Sequence, residues 1–269
     1  MDTMSNISDL GVRSEWYGPE GVLTFRDKTH GPTKAASLWR SCPMLAILCH
    51  PELAHVYWND FDGLPVDADA WTLTEDAGKT GTDIIVDRKG GWVKNFCDGD
   101  DNDESYRIGH GETWLFEASK PLWFECQIQL TEASTDDANW VIGVSDAAGA
   151  NMLLDNGAGP AATYDGAVWF KVDGTLQCQF ESSNAGTQVT TSTGLATFVS
   201  GDIFRLGFVF DPLDGTTGTI TPFADGAAGT AHSLTLSGLQ EMHLFFGVKA
   251  GGSNGEAIEV DWIRCVQMR

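Results

Sequence analysis

Two acids near the C-terminus, Glu259 and Asp261, stand two apart in the run Glu256 to Gln267 (EAIEVDWIRCVQ). Ile258, Val260 and Trp262 alternate with them, and a period of two is the mark of a strand with one buried face. Both acids then share the outer face, with Cα atoms about 7 Å apart. Carboxyl pairs that cleave glycosidic bonds stand about 5–5.5 Å or about 6.5–9.5 Å apart. The spacing therefore permits acid/base work. The strand-like Trp140–Val144 (WVIGV) supplies no third acid, however, and a solvated outer face accounts for the pair equally well. No catalytic residue is assigned.

Other chemistry-bearing groups carry similar alternatives. Asp98 to Glu104 (DGDDNDE) gathers hard oxygen ligands of the kind calcium takes. A calcium-binding EF-hand loop needs Gly at its sixth position, where Asp103 stands, and Glu at its twelfth, where Gly109 stands. The segment reads as a bound-cation loop or an exposed turn, and no metal ligand is assigned. Trp123 and Trp169 lie on the parity opposite their strands' apolar sets. They could stack on a sugar ring, pack under loops, or enter a subunit interface. His50 and His55 (HPELAH) are five apart, unlike the helical H-E-x-x-H pair, and no G-x-S-x-G elbow, P-loop or dinucleotide fingerprint occurs. The expectation is a protein that is not an enzyme and uses no cofactor, with any carbohydrate-binding residues unknown.

The elements that must position these residues are strands. Leu122 to Leu130 alternates cleanly, with Phe124, Cys126 and Ile128 on one side and Trp123, Glu125 and Gln127 on the other. Ile203 to Phe210 sets Phe204, Leu206, Phe208 and Phe210 together. About a dozen such runs follow Tyr57, separated by Asp-Gly pairs at Asp62, Asp98, Asp165, Asp173, Asp214 and Asp225, which favour tight turns. No amphipathic helix of three turns intervenes, so βαβ crossovers are absent and a sandwich or barrel is predicted. The last two runs, Met242 to Val248 and Ile258 to Val266, flank GGSNG and predict a long antiparallel hairpin central to the sheet.

Residues 1–56 differ. They are turn-rich, with an apolar stretch at Met44–Leu48 bracketed by Pro43 and Pro51. They predict an extended N-terminal arm that lies on the body or reaches a neighbouring subunit, ahead of a β-sandwich domain at 57–269. Removing the arm is expected to leave the body folded.

The six cysteines form no C-x-x-C, and Cys126 and Cys178 share parity with core residues, as expected in a reducing compartment. No run of about 18 apolar residues predicts a membrane span. MDTMSNISDL lacks a basic start followed by an apolar segment, which predicts synthesis and folding in a cytoplasm. The net charge is −22, from 16 basic and 38 acidic residues. The arm holds five basic and six acidic residues (−1), leaving 11 and 32 (−21) for the body. So acidic a body excludes nucleic acid, whose phosphates need Lys and Arg.

The phrase AIEVDWIRCVQ resembles the closing strand of concanavalin A-like lectin/glucanase jelly rolls, where V-D-[WY]-[IV]-R is frequent. Tyr57-Trp58-Asn59-Asp60-Phe61, Trp71, Gly90-Gly91, Asp101-Asn102-Asp103-Glu104 and Pro121-Leu122-Trp123-Phe124-Glu125 follow in an order similar to that of tailed-phage virion proteins with such a jelly roll. The resemblance spans roughly residues 42–269. It implies an all-β antiparallel jelly-roll sandwich and a non-enzymatic role on the outside of a capsid, as a decoration protein. The implied partners are the major capsid protein and copies of the chain itself, a homotrimer in expectation, with surface glycans as a lesser possibility. The laminarinase-type enzymes of the fold use an E-x-D-x-E strand, which this chain lacks.

Overall fold

The computed structural model describes residues 12–17, 22–27, 38–43, 47, 50–61, 71–75, 82–84, 88, 90–97, 100–109, 111–132, 137–252 and 255–269. Much of the expected arm, together with Cys49, Asp98 and Gly99, lies outside them. Residues Val12–Tyr17 (β1) and Val22–Asp27 (β2) pair as a separate antiparallel ribbon.

The body is a sandwich of two antiparallel sheets. The smaller runs in the order β12 (Thr187–Thr197), β11 (Gln177–Asn184), β10 (Gly166–Lys171), β9 (Ala138–Ser145), β17 (His243–Ala250), β7 (Glu104–Gly109) and β4 (Trp71–Glu75). The larger runs β15 (Ala227–Ala228), β14 (Thr217–Ala224), β13 (Ile203–Pro212), β8 (Leu122–Glu132), β18 (Glu256–Met268), β6 (Val93–Cys97) and β5 (Thr82–Ile84). Two more strands join it, β16 (His232–Thr235) on β14 and β3 (Ala54–Asn59) on the C-terminal half of β18. Among the described residues no helix is long and apolar enough to cross a membrane.

The core is built from the alternating sets. Phe124, Ile128, Phe208, Ile258 and Val260 of the larger sheet meet Trp140, Ile142, Trp169, Phe180 and Phe246 of the smaller. Cys126 and Cys178 sit within it fully buried, and burial pushes the Cys178 thiol up to about 12. Both behave as small apolar residues, as their parity predicted.

The predicted terminal hairpin is corrected. β17 lies between β9 and β7 in the smaller sheet, whereas β18 lies between β8 and β6 in the larger. The two arms face each other across the core instead of pairing edge to edge. Their alternation reported an inward face on each strand, a property that two stacked strands share with two paired ones.

A second correction concerns parity within β18. Val260 pairs with Ile128 but Trp262 pairs with Gln127, so Asp261 is an extra, bulged residue. Past the bulge, Ile263 and Cys265 take the inward positions, and Trp262 turns outward, partly exposed.

Each sheet also carries a second apolar layer on its outer face. On the smaller sheet Tyr106, Val141, Val168, Phe170 and Phe245 are covered by Met152, Leu153 and Tyr164 from the connection between β9 and β10. On the larger sheet Trp123, Val209, Phe223 and Val266 are covered by Leu38, Cys42, Ile47 and Ala54. Within the expected arm, Leu38, Cys42, Ile47 and Ala54 thus form part of the body's packing, and β3 straddles the boundary expected at 56/57.

One polar bridge joins the sheets through the interior: Ser182 Oγ lies 2.9 Å from His232 Nδ1, both buried. Burial lowers the His232 imidazole to about 4, so it is neutral when folded. An unfolded imidazole protonates near 6.5. Between those values the unfolded chain binds a proton that the folded chain refuses, so stability is fully present above about pH 6.5 and falls as the pH drops towards 4. The expected loss is about 3 kcal/mol. Urea unfolding of wild type and His232→Asn at pH 7 and pH 4 tests this, because equal pH slopes in the two would remove His232 as the cause.

Candidate functional site

Strand register assembles the outer face of the larger sheet into four transverse rows. The first joins Lys94, Glu259, Gln129 and Ile203, and the second Trp262, Gln127 and Arg205. The third joins Trp58, Arg264, Glu125 and Gly207, and the fourth Val56, Val266, Trp123 and Val209. On the last two rows Leu38, Cys42, Ile47 and Ala54 cover Trp123, Val209 and Val266 and leave Val56 and Trp58, on the β3 edge, exposed. Trp123 Nε1 donates to Ser41 Oγ at 3.1 Å, and Trp39 Nε1 donates to Glu125 Oε2 at 2.7 Å. Gly207 is required beneath this cover, since a Cβ there would collide with Leu38 Cδ1 and with the Phe124 carbonyl.

The first two rows and the β3 edge stay open. Trp58 is 47% exposed and Ile203 49%. The Arg264 guanidinium stands between two indoles, 4.4 Å from the Trp262 ring centroid and 6.0 Å from that of Trp58, within or at the reach of cation–π attraction. Arg88 stacks 3.3 Å above Trp92, and Lys94 lies 5.5 Å from the Phe96 ring. This is a surface of tryptophan, arginine and glutamine.

The carboxylate pair lies on this face, and both members are engaged. Glu259 Oε2 accepts from Arg88 Nη1 at 2.5 Å, and Asp261 Oδ2 accepts from Gln127 Nε2 at 2.5 Å. Burial at the bulge raises the Asp261 carboxyl above its ordinary value, against the lowering effects of the Gln127 hydrogen bond and the Arg88 and Arg264 charges. Gly90, at φ +93°, lets the neighbouring turn pass close to Asp261 Oδ1. An acid/base pair needs one carboxyl free to give a proton and one free to receive it. Here an arginine holds one and an amide the other.

The other sequence candidates are dispersed. Trp169 is wholly in the core, its Nε1 donating to the Gly207 carbonyl at 3.0 Å, and Trp123 is buried under Leu38 and Cys42. Neither can stack on a sugar. Among the described residues, Trp58 and Trp262 are placed to do so, and sequence reasoning missed both. Trp262 was concealed by the bulge, and Trp58 by its place just inside the expected body boundary. His50 is exposed and pairs with Glu52 at 3.3 Å, while His55 stacks 4.3 Å from Trp114. In the acidic loop Asn102 and Asp103 hydrogen-bond with the backbone of Ala250, and Glu104 turns inward to Lys249. Among the described residues no group of three or more His, Cys, Asp or Glu side chains converges as metal ligands would.

No family model matches the chain, and no curated protein does. Solved structures do. Peanut lectin aligns at a TM-score of 0.53 and 12% identity, covering 80% of this chain and 97% of its own. The metal-free carbohydrate recognition domain of Emp46p aligns at 0.50 and 13%, covering 78% and 97%. A protein of unknown function from Shewanella oneidensis MR-1 aligns at 0.51 and 14%, covering 80% and 87%. The fold is a concanavalin A-like jelly roll. At such identities the likeness fixes the jelly roll alone, and function must come from the open face.

Proposed function

We propose that this jelly roll is a non-enzymatic structural protein of a phage virion, seated on the capsid exterior as a homo-oligomer with the major capsid protein as partner. One observation carries the reading: the exposed rows of the larger sheet have the composition of a protein interface. Tryptophan and arginine are enriched at the centres of interfaces, where they contribute most of the affinity. The carboxylate pair on the same face is engaged, Glu259 by Arg88 and Asp261 by Gln127, which supports the non-enzymatic reading. Leu38, Cys42, Ile47 and Ala54 secure the Trp123 side of the face, and the proposal assigns the capsid contact to the arm ahead of them. Co-expression with the major capsid protein tests the proposal. The chain is expected to cosediment with assembled shells at high copy, and its absence from washed particles would refute the role.

Trp58 and Trp262 favour one second reading, carbohydrate binding, since paired exposed indoles beside glutamine and aspartate can stack on and hydrogen-bond a sugar. It requires a glycan-array signal that disappears in Trp58→Ala. A blank array across polysaccharides would dispose of it.

A further inference from the structure

We infer that the open rows of the larger sheet are the contact between two copies of this chain, which pair face to face about a two-fold axis. The inference rests on the reading of this face as a protein interface and names its occupant.

The argument is one of charge and shape. The molecule carries −22 overall, yet on this face the acids are matched by cations. Lys94, Arg88, Arg205 and Arg264 share it with Glu259, Asp261 and Asp60, and Asp83 pairs in register with Lys94 at the β5 edge. Elsewhere two of the body's remaining cations, Lys171 and Lys249, are buried against Glu132 and Glu104 and give the surface nothing. A cationic partner would be met by a face left acidic, because uncompensated carboxylates attract it. An equally acidic partner can be met only where charge is already compensated, since two molecules of −22 repel everywhere else. A second copy is that partner.

The shape agrees. Strand register spreads Val56, Trp58, Trp262 and Ile203 over adjoining rows of one sheet face, with Val56 at 38% exposure. Two sheets pack face to face through such apolar and aromatic side chains. The patch also carries donors and acceptors together, which is what an isologous contact needs, since each group meets the partner's version of the same patch. A single self-complementary face closes at two copies, in place of the expected trimer.

Sedimentation of the full chain at concentrations up to about 100 µM tests the pairing. The expected species is a dimer of about 58 kDa, two chains of 29.0 kDa. Trp58→Asp and Ile203→Lys, each at a half-exposed position, should separately weaken it tenfold or more while keeping the wild-type circular dichroism and melting temperature. Raising NaCl from about 50 to about 500 mM should tighten the dimer, because screening relieves repulsion between the acidic bodies. A monomer throughout, a trimer, or a dimer indifferent to both substitutions would overturn the inference. So would a dimer that salt dissociates. Shell cosedimentation by a chain that stays monomeric would sink the pairing and spare the virion role, whereas a substitution-sensitive dimer that ignores shells would do the reverse.

Discussion

Lys249→Met is expected to destabilise the protein by about 3–5 kcal/mol, the cost of removing one partner from a buried ion pair. Lys249 is 2% exposed, and its ammonium lies 3.2 Å from Glu104 Oε2 and 2.6 Å from Asp155 Oδ1, while also donating to the Leu153 carbonyl at 3.1 Å. Glu104 in turn accepts the Asn151 N–H at 3.1 Å, and the Tyr106 hydroxyl accepts the Leu153 N–H at 3.1 Å. These contacts clamp the β9–β10 connection over the outer layer of the smaller sheet. Without the ammonium, the Glu104 carboxylate stays buried with its nearest counter-charge gone. Urea unfolding should show the midpoint fall, and Lys249→Met with Glu104→Gln should recover part of the loss because it removes the stranded charge. A single-mutant cost under about 1 kcal/mol would mean that the clamp is solvated and contributes little.

The second large effect is truncation before Tyr57, which is expected to unfold or aggregate the body. The structure here reverses the expectation drawn from sequence. Leu38, Cys42, Ile47 and Ala54 are each at most 5% exposed, and they shield Trp123, Val209, Phe223 and Val266. Exposing a large apolar side chain costs about 1.5–3 kcal/mol, so losing this layer removes an amount comparable to a whole domain's stability of about 5–15 kcal/mol. Truncation would also strip the N-terminal half of β3 from the edge of β18. A chain beginning just before Leu38 should instead keep the wild-type melt. Tryptophan emission is the measurement: a red shift and early unfolding for the shorter chain, and neither for the longer one. A cooperative, unshifted melt from the shorter chain would show that residues 38–56 do not support the sheet.

Much of the fold was legible because its evidence is local. A period of two names the inward residues of a strand without reference to the rest of the chain, which is why β8 and β13 and the core positions of Cys126 and Cys178 were predicted. Turn chemistry is equally local, and Asp225-Gly226 takes the positive φ angles that such a pair favours between β14 and β15. Sites were less legible. Trp123 and Trp169 had the right parity for an outward tryptophan, but parity is silent on what lies above a sheet, or on whether both faces are buried.

By itself, the sequence determined an all-β chain of alternating strands, an acidic body, a compositionally distinct N-terminal segment and a jelly-roll signature in its closing strand. Only the tertiary structure decided that the last two strands stack across the core, that Asp261 bulges and turns Trp262 outward, and that Leu38, Cys42, Ile47 and Ala54 cover Trp123, Val209, Phe223 and Val266 on the larger sheet. The physical reason is range. Alternation is fixed by neighbours two residues apart, whereas sheet membership, bulge register and coverage depend on pairings such as Arg264 with Trp58 and Glu125, more than a hundred residues away along the chain.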